Sequence, residues 1–207
     1  MLVSIQNKLK NFKKIRVYIL MLMFISPLSA SHNFIINMND EDLETGLKFD
    51  LGQFAHSLPI NSYFLDMNYL YMEDDNGDTN TQSEFGIIMK NKLQNIQEIT
   101  VGLGVKNLYT KKYGKSFISI PLGITVDINF PIRGLPISLS GSFYYAPKPL
   151  TFKDGEKYLE QRFELGFEVI KRGVVYIGYR EIQTHFHIVE DDYILNKTPF
   201  VGFKLGF

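Results

Sequence analysis

The chain has 207 residues, with 22 basic and 22 acidic side chains, 17 Phe, 12 Tyr, no Trp and no Cys. This length suits a single domain, and a neutral charge balance gives no basic field that would favour nucleic acid as a partner. The lack of cysteine excludes disulfides, thiolate metal sites and cysteine nucleophiles, and 45% hydrophobic residues exclude a disordered chain.

Residues 1–30 have the composition of a secretory signal peptide. The segment contains no acidic residue, and its basic residues are Lys8, Lys10, Lys13, Lys14 and Arg16. An apolar run over 17–25 follows, and small residues lead to Ala30. A basic start, an apolar stretch of about 7–15 residues and a small-residue exit are typical of an exported precursor. We predict cleavage after Ala30, with Ser31 as the alternative.

The other interpretation of this segment is a retained anchor helix. A transmembrane helix needs about 20 apolar residues, and Ser26 and Pro27 interrupt the run before that length is reached. Removal of 1–30 leaves 17 basic and 22 acidic side chains, so the predicted mature chain, 31–207, has a net charge of −5. It contains no second long apolar run, which excludes a helical membrane protein.

The predicted mature chain alternates apolar and polar residues with a period of two. In the clearest segment, 116–130, alternate residues from Ile118 to Phe130 are apolar, whereas the positions between them are small or polar. Successive side chains of a β-strand point to opposite faces, so this segment predicts one long strand with one apolar face. Similar alternation occurs in 43–52, 62–72, 83–92, 99–107, 158–169 and 200–207. Strands of this length are typical of membrane-spanning barrels.

A secreted β-sandwich and a membrane β-barrel both explain this alternation. Glycine favours the barrel, because a solvated face gains nothing from losing side chains, whereas the crowded inside of a small barrel does. Gly141 alone is on the apolar face. The polar face carries Gly46, Gly52, Gly86, Gly102, Gly104, Gly123, Gly166, Gly178, Gly202 and Gly206.

Connection lengths predict the orientation and the number of strands. Short connections at 55–60, 93–98, 131–136 and 171–173 alternate with mostly longer, polar ones at 73–82, 111–115, 147–156 and 187–197. Outer-membrane barrels have short periplasmic turns and longer external loops, so both termini are expected in the periplasm, which requires an even number of strands. Nine strands are clear, and 33–38 supplies a tenth. We therefore predict an all-β fold, an antiparallel transmembrane β-barrel of ten strands, with eight as the alternative.

Charged residues of both signs lie on the polar faces of the predicted strands and are expected in the lumen. They are Glu44, Lys48, Asp50, Asp66, Glu84, Lys90, Lys106, Asp127, Glu160, Arg162, Glu164, Glu168, Arg180 and Lys204. Buried charges must be paired, and a barrel of eight to ten strands is close to the size that side chains fill. We expect an ion-pair network that fills the lumen. The alternative is a pore lined by charges.

A second candidate for chemistry is the cluster at 185–192. His185 and His187 are two residues apart on a predicted strand and point to one side, which is a geometry that a metal or an acid–base pair uses. The acidic residues that follow them are Glu190, Asp191 and Asp192. No nucleophile motif accompanies the cluster, so we expect neither a metal site nor catalysis.

Two further patterns have structural explanations. The segment 74–78 resembles a calcium loop in composition, but its glycine does not fall at the required offset, and Asn76-Gly77 predicts a turn. Tyrosines near the strand ends predict an interfacial aromatic girdle. They are Tyr69, Tyr71, Tyr109, Tyr144, Tyr145, Tyr176 and Tyr179.

Several segments together resemble the YfaZ family of bacterial outer-membrane proteins. They are 100–110 (TVGLGVKNLYT), 140–147 (SGSFYYAP), 178–180 (GYR), 199–207 (PFVGFKLGF) and the acidic turn EDDNGD at 73–78. The resemblance covers roughly 40–207. It implies a small barrel in the outer membrane of a Gram-negative bacterium, and it supplies neither an established biochemical role nor catalytic residues.

The sequence thus predicts an outer-membrane barrel of structural or passive role that is not an enzyme and binds no cofactor. A narrow channel for small solutes is the first alternative, and a lipid- or peptide-modifying barrel enzyme is the second. The expected partners are outer-membrane lipid and the barrel-assembly machinery, which would recognise the C-terminal strand. The apolar residues of that strand are Val201, Phe203, Leu205 and Phe207.

Overall fold

The computed structural model describes residues 32–73, 79–112, 115–132, 136–153, 155–186 and 193–207. The predicted signal peptide, with its cleavage site at Ala30 or Ser31, lies outside the described residues. Within the described part of the chain, no helix is both long enough and apolar enough to cross a membrane.

The described residues form twelve β-strands and two short 3-10 turns, Leu51–Gln53 and Lys148–Leu150. In chain order the strands are β1 (Asn33–Met38), β2 (Asp42–Asp50), β3 (Tyr63–Glu73), β4 (Thr79–Leu93), β5 (Ile96–Lys112), β6 (Lys115–Ser119), β7 (Leu122–Phe130), β8 (Ile137–Ala146), β9 (Thr151–Lys153), β10 (Gly155–Ile170), β11 (Gly173–Phe186) and β12 (Tyr193–Gly206). Most residues of the period-two segments lie in these strands.

Ten of these strands close an antiparallel barrel in the order β1-β2-β3-β4-β5-β7-β8-β10-β11-β12, and β12 pairs with β1. This confirms the predicted ten-stranded barrel over the eight-stranded alternative. A path that steps from each residue to its partner on the next strand, once around the wall, returns to β1. It ends 12 residues along the strand from its starting residue. With strand spacings of usual size this displacement tilts the strands by about 40°. We call the rim where β1 begins and β12 ends the terminal rim, and the opposite one the distal rim.

The long strand predicted over 116–130 is interrupted. Proline has no backbone N–H, and Pro121 separates β6 from β7. Both pieces pair with β5 in one register, because Leu108 lies opposite Ser119 and Val105 opposite Leu122. On the side that faces away from β5, the two pieces have different partners. β7 pairs with β8, whereas β6 pairs with β9 at the distal rim.

Two predicted short connections have different lengths in the structure. The turn between β4 and β5 is reduced to 94–95, because both strands continue farther than their alternation indicated. The connection between β2 and β3 spans 51–62 instead of 55–60. Asp50 stabilises this longer connection, since its carboxylate accepts from Gly52 N at 3.0 Å and from Asn61 N at 2.8 Å.

The inner face of the wall is crowded, as the glycine pattern indicated. A Cβ atom on Gly86 would lie 2.9 Å from the carbonyl oxygen of Val105 and 2.9 Å from Cβ of Lys106. Gly141 faces outward, and a Cβ there would meet no atom closer than 3.7 Å. Glycine on the inner face therefore makes room for the side chains of neighbouring strands.

Candidate functional site in the barrel lumen

An ion-pair network joins strands across the middle of the lumen. The buried Glu44 carboxylate on β2 accepts from both terminal nitrogens of Arg162 on β10, at 2.7 and 3.0 Å. It also accepts from Nη1 of Arg180 on β11 at 2.7 Å and from Nδ2 of Asn37 at 2.7 Å. Because β2 pairs with neither β10 nor β11, the bonds from the two arginines cross the lumen.

Arg180 is the most completely enclosed cation of the network, with 1% of its surface exposed. Besides Glu44, its guanidinium contacts Asp42 at 3.0 Å through Nη2 and Asn196 at 2.8 Å through Nε. Asn196 donates in turn to Asp42 at 2.7 Å. A buried guanidinium is tolerated when its donors are bonded and its charge is balanced, and here each of its three nitrogens has a partner.

A second ion cluster lies beside the first. Lys106 Nζ lies 2.9 Å from Glu84 Oε2 and 2.6 Å from Glu160 Oε2, so one ammonium bridges two carboxylates. Tyr158 donates its hydroxyl proton to Glu160 at 2.7 Å, and Gln82 Nε2 donates to Glu84 at 2.6 Å. The two clusters meet where Arg162 Nη2 approaches Glu160 at 3.9 Å.

The distal half of the lumen contains a cluster of buried, mainly apolar side chains, with buried polar ones such as Gln82 and Thr110 beside it. Eight residues with at most 5% exposure pack together, and Leu150 of the second 3-10 turn packs against them. They are Leu70, Met72, Leu108, Phe117, Ala146, Tyr158, Ile182 and Leu195, and we call them the distal cluster. Because these side chains are almost inaccessible to solvent, the distal cluster obstructs the described part of the lumen.

A polar cavity of about 120 Å³ occupies the lumen on the terminal side of the ion clusters. Two ion pairs line it: Lys48–Asp66 at 3.4 Å and Lys90–Asp127 at 2.6 Å. The hydroxyl oxygen of Thr125 is buried in its wall without a hydrogen-bond partner among the described residues. The cavity is therefore polar and confined to one half of the barrel.

The structure brings most of the predicted lumen charges together. Glu44, Arg162 and Arg180 form the central network, and Glu84, Lys106 and Glu160 form the second cluster. Lys48, Asp66, Lys90, Asp127, Glu164 and Lys204 line the cavity.

Two predicted lumen charges have different positions. Asp50 is buried, but its carboxylate caps the backbone of the β2–β3 connection and forms no ion pair with a described residue. Glu168 is exposed at the terminal rim and accepts from Arg172 N at 3.0 Å. Both residues lie near strand ends, where backbone N–H groups without a ladder partner become available to carboxylates.

Several uncharged or unexpected residues complete the site. Asn37 and Asp42 lie on the same inner face as Glu44, and the alternation of the sequence could have shown this. Asn196 follows a register irregularity between β11 and β12, which the sequence does not reveal. Tyr144 and Tyr176 were expected in the outer girdle, and this is wrong: they are 4% and 2% exposed and point into the lumen.

Alternation explains the position of these tyrosines. Tyr144 and Tyr145 are consecutive and must face opposite sides of the wall. Tyr144 lies under the Lys106 ammonium, 4.2 Å from the ring centroid, and the Tyr176 hydroxyl donates to Asn37 Oδ1. The outward tyrosines Tyr69, Tyr109 and Tyr145 are exposed near the distal end of the apolar surface.

The histidine cluster is only partly described. His185 Nε2 lies 3.7 Å from Glu156 Oε2 near the distal rim. His187, Glu190, Asp191 and Asp192 lie outside the described residues, as does the 74–78 turn. Among the residues that the structure describes, no group of three or more His, Asp or Glu side chains is arranged to hold a metal ion.

Comparisons with known proteins give a family and a structural likeness. The model of the family described as YfaZ precursor matches residues 12–207. No curated protein matches the sequence. Among solved structures, the beta domain of the Bordetella autotransporter Brka is similar, with a TM-score of 0.45 and 10% sequence identity over 88% of this chain and 77% of that chain.

Proposed function

The chain belongs to the YfaZ precursor family, and on this premise we propose that it is an outer-membrane β-barrel protein of structural or passive role in a Gram-negative bacterium. The family description names a precursor, which supports export with a cleaved signal peptide ending at Ala30 or Ser31. We also propose that the barrel is not an enzyme and needs no cofactor.

The apolar outer surface supports the membrane location. Outward residues such as Leu103 and Phe163 are 56% and 57% exposed, and an exposed apolar band of this extent is unfavourable in water. On β5 the outward residues from Ile99 to Tyr109 are apolar except for Asn107. Ten residue steps on a strand tilted by about 40° span about 25 Å, which matches the apolar band of outer-membrane barrels.

Polar residues on the outer face mark the distal end of this band. Glu181 accepts from Gln161 at 3.1 Å and from Gln183 at 2.6 Å, and Lys197 lies 3.6 Å away. Such a cluster is costly in hydrocarbon, so we place it in the external headgroup region. The terminal rim, with the short turns 94–95 and 171–172, then faces the periplasm.

The C-terminal strand is proposed as the segment that the barrel-assembly machinery recognises. Val201, Phe203 and Leu205 lie opposite Met38, Ile36 and Phe34 of β1, so they form one side of the seam that closes the barrel. Phe207 N donates to His32 O at 2.9 Å. Deletion of Phe207 is expected to slow insertion into the outer membrane without changing export to the periplasm, which cell fractionation measures.

The observation that carries the passive role is the distal cluster, which obstructs the lumen with buried, mainly apolar side chains. A conducting pore needs a continuous polar path, and here the polar cavity ends at the ion clusters. A barrel with such a filling is expected to be closed to solutes in its resting state.

Planar-bilayer recording of the mature chain tests this proposal. The wild type is expected to show no steady open events above background. The double variant Leu108→Ala/Tyr158→Ala removes part of the distal cluster and is expected to raise the conductance. The matched control Leu103→Ala/Tyr145→Ala deletes the same side chains on the outer face and should leave the conductance unchanged. Steady open events in the wild type would show that the passive role is wrong.

A narrow channel for small solutes is the second candidate, and the polar cavity favours it. The cavity lies on the side of the terminal rim, so only the distal half would have to open. Ion selectivity that shifts toward cations in Lys90→Gln and toward anions in Asp127→Asn would support this candidate. Hydrolysis of lipopolysaccharide or phospholipid by the purified barrel would instead contradict the proposal that it is not an enzyme.

Membrane fractionation tests the location itself. The mature chain is expected in the outer-membrane fraction and should migrate differently on a gel before and after heating, because a folded barrel resists detergent. Recovery in the soluble periplasmic fraction without heat-modifiable migration would contradict the membrane proposal.

A further inference from the structure

Lysine residues concentrate in one sector of the distal rim. Lys111 lies at the end of β5, Lys153 at the end of β9, Lys148 in the turn before β9 and Lys157 on β10. The carboxylate described in this sector is that of Glu156, which binds Lys148 at 2.7 Å. On the opposite side of the rim the described charges near the ends of β1, β2 and β3 are acidic: Asp40, Glu41 and Glu73. The described residues of the distal rim are therefore basic on one side and acidic on the other.

Lys111 and Lys153 are two exposed lysines of this sector. Among the described residues, no carboxylate lies within ion-pair distance of either. They lie on the two strands that flank β6, because Lys111 of β5 is opposite Ser116 and Lys153 of β9 is opposite Phe117. Lys153 Nζ lies 3.5 Å from Ser116 Oγ, which places it on the Lys111 side of β6.

The backbone of Lys153 aims its side chain at the outer surface. Its φ of 66° is in the left-handed region, which lysine seldom adopts. In this conformation Nζ lies 5.2 Å from the ring centroid of Tyr109, a cation–π distance. Tyr109 and Phe152 are exposed on the outer face at 39% and 46%. The two lysines thus lie directly beyond an aromatic edge of the apolar band.

This arrangement matches the chemistry of an anionic lipid. Lysines at a membrane surface attract anionic headgroups, and aromatic residues at the same level pack against the interface between headgroup and chain. We propose that Lys111 and Lys153, with Tyr109 and Phe152 beneath them, bind the phosphate group of an anionic lipid in the leaflet that meets the distal rim. The inference rests on the proposed membrane location and adds a lipid class and a site to it.

Fluorescence quenching by brominated lipids tests the inference on the full mature chain. Because the natural chain has no Trp, the substitution Phe152→Trp creates a single reporter in the basic sector. A matched reporter, Tyr71→Trp, lies on β3 near the acidic sector. Each protein is inserted into phosphatidylcholine vesicles that contain either brominated phosphatidylglycerol or the same fraction of brominated phosphatidylcholine. The ratio of the two quenching efficiencies measures local enrichment of the anionic lipid.

We expect enrichment of phosphatidylglycerol at the Phe152→Trp reporter and none at the Tyr71→Trp reporter. The double substitution Lys111→Gln/Lys153→Gln should lower the apparent affinity by about fivefold for each lysine. The control Lys92→Gln/Lys171→Gln makes the same charge change at exposed positions of the terminal side and should have no effect. Inorganic phosphate, compared with chloride at equal ionic strength, should not displace the lipid.

Equal quenching by both lipids at the Phe152→Trp reporter would overturn the inference, and so would enrichment that survives the loss of both lysines. Displacement by inorganic phosphate would show a site for the free anion and would also overturn it. A different failure is recognisable: if neither lipid quenches either reporter, the chain has not entered the bilayer. That result would contradict the proposed membrane location, and the inference would fall with it.

Discussion

Replacement of Glu44 by glutamine tests the central ion network most directly. The substitution keeps the size of the side chain and removes its charge. Glu44 is 3% exposed and accepts two bonds from Arg162 and one each from Arg180 and Asn37. Glu44→Gln therefore leaves two buried guanidinium groups without their shared carboxylate.

The magnitude follows from the carboxylates that remain. Removal of one partner of a buried ion pair lowers the free energy of unfolding by about 3–5 kcal/mol. Arg180 retains Asp42 at 3.0 Å, and Arg162 retains only distant contacts with Glu160 at 3.9 Å and Glu164 at 3.7 Å. Because part of the charge stays balanced, we expect a loss near the lower limit, about 3 kcal/mol.

Urea unfolding of the barrel in lipid vesicles, followed by gel migration without heating, measures this loss. The control Glu98→Gln changes an exposed carboxylate near the terminal rim and should shift the free energy of unfolding by no more than about 0.5 kcal/mol. In a double-mutant cycle with Arg162→Gln, the losses should be less than additive, because both substitutions break the same pair. A loss below about 1 kcal/mol for Glu44→Gln, with additive behaviour in the cycle, would refute a network that depends on buried charge.

Three other perturbations have defined outcomes. Gly86→Ala should lower the free energy of unfolding by about 1–3 kcal/mol, because its new Cβ would meet the neighbouring strand at 2.9 Å, whereas Gly141→Ala should be tolerated; urea unfolding of both compares them. Burial lowers the pKa of His32, with a smaller opposing effect from the Asp50 carboxylate. The unfolded chain therefore takes up a proton first, and stability that is complete above about pH 6.5 should fall as the pH decreases below that value; His32→Gln should flatten this part of the profile, and an unchanged profile would contradict the assignment. Asp50→Ala should expose the 51–62 connection to limited proteolysis while the barrel keeps its heat-modifiable migration, since the carboxylate holds only that connection.

Much of the architecture could be predicted from the sequence because the period of a β-strand is fixed by the backbone. Side chains alternate whatever the neighbouring strand is, so the apolar face of 122–130 and the inward glycines were readable without a structure, and ten strands were favoured over eight. The family was predicted from the same segments, and the family model confirms it. The interruption at Pro121 was also present in the sequence, but the long alternation on both sides of it concealed the break.

The contents of the lumen required the tertiary structure. Alternation places Glu44, Arg162 and Arg180 on inner faces, but the partners are more than a hundred residues apart, and only closure of β12 onto β1 brings them within hydrogen-bond distance. The distal cluster was not predicted from the sequence. Its members lie toward the distal ends of the strands, where residues on the inner face change from polar to apolar. A local pattern cannot show that several such positions share one level of the barrel.

The sequence by itself therefore determined which face of each strand is apolar and where glycine is needed on the inner face, and it favoured ten strands over eight. These properties depend on neighbours along the chain and on the steric limits of one strand. The tertiary structure alone decided which ions pair, where the polar cavity ends and that mainly apolar side chains obstruct the distal half. These properties depend on register and strand tilt around the closed wall, because a shift of two residues between strands preserves every face but replaces every partner.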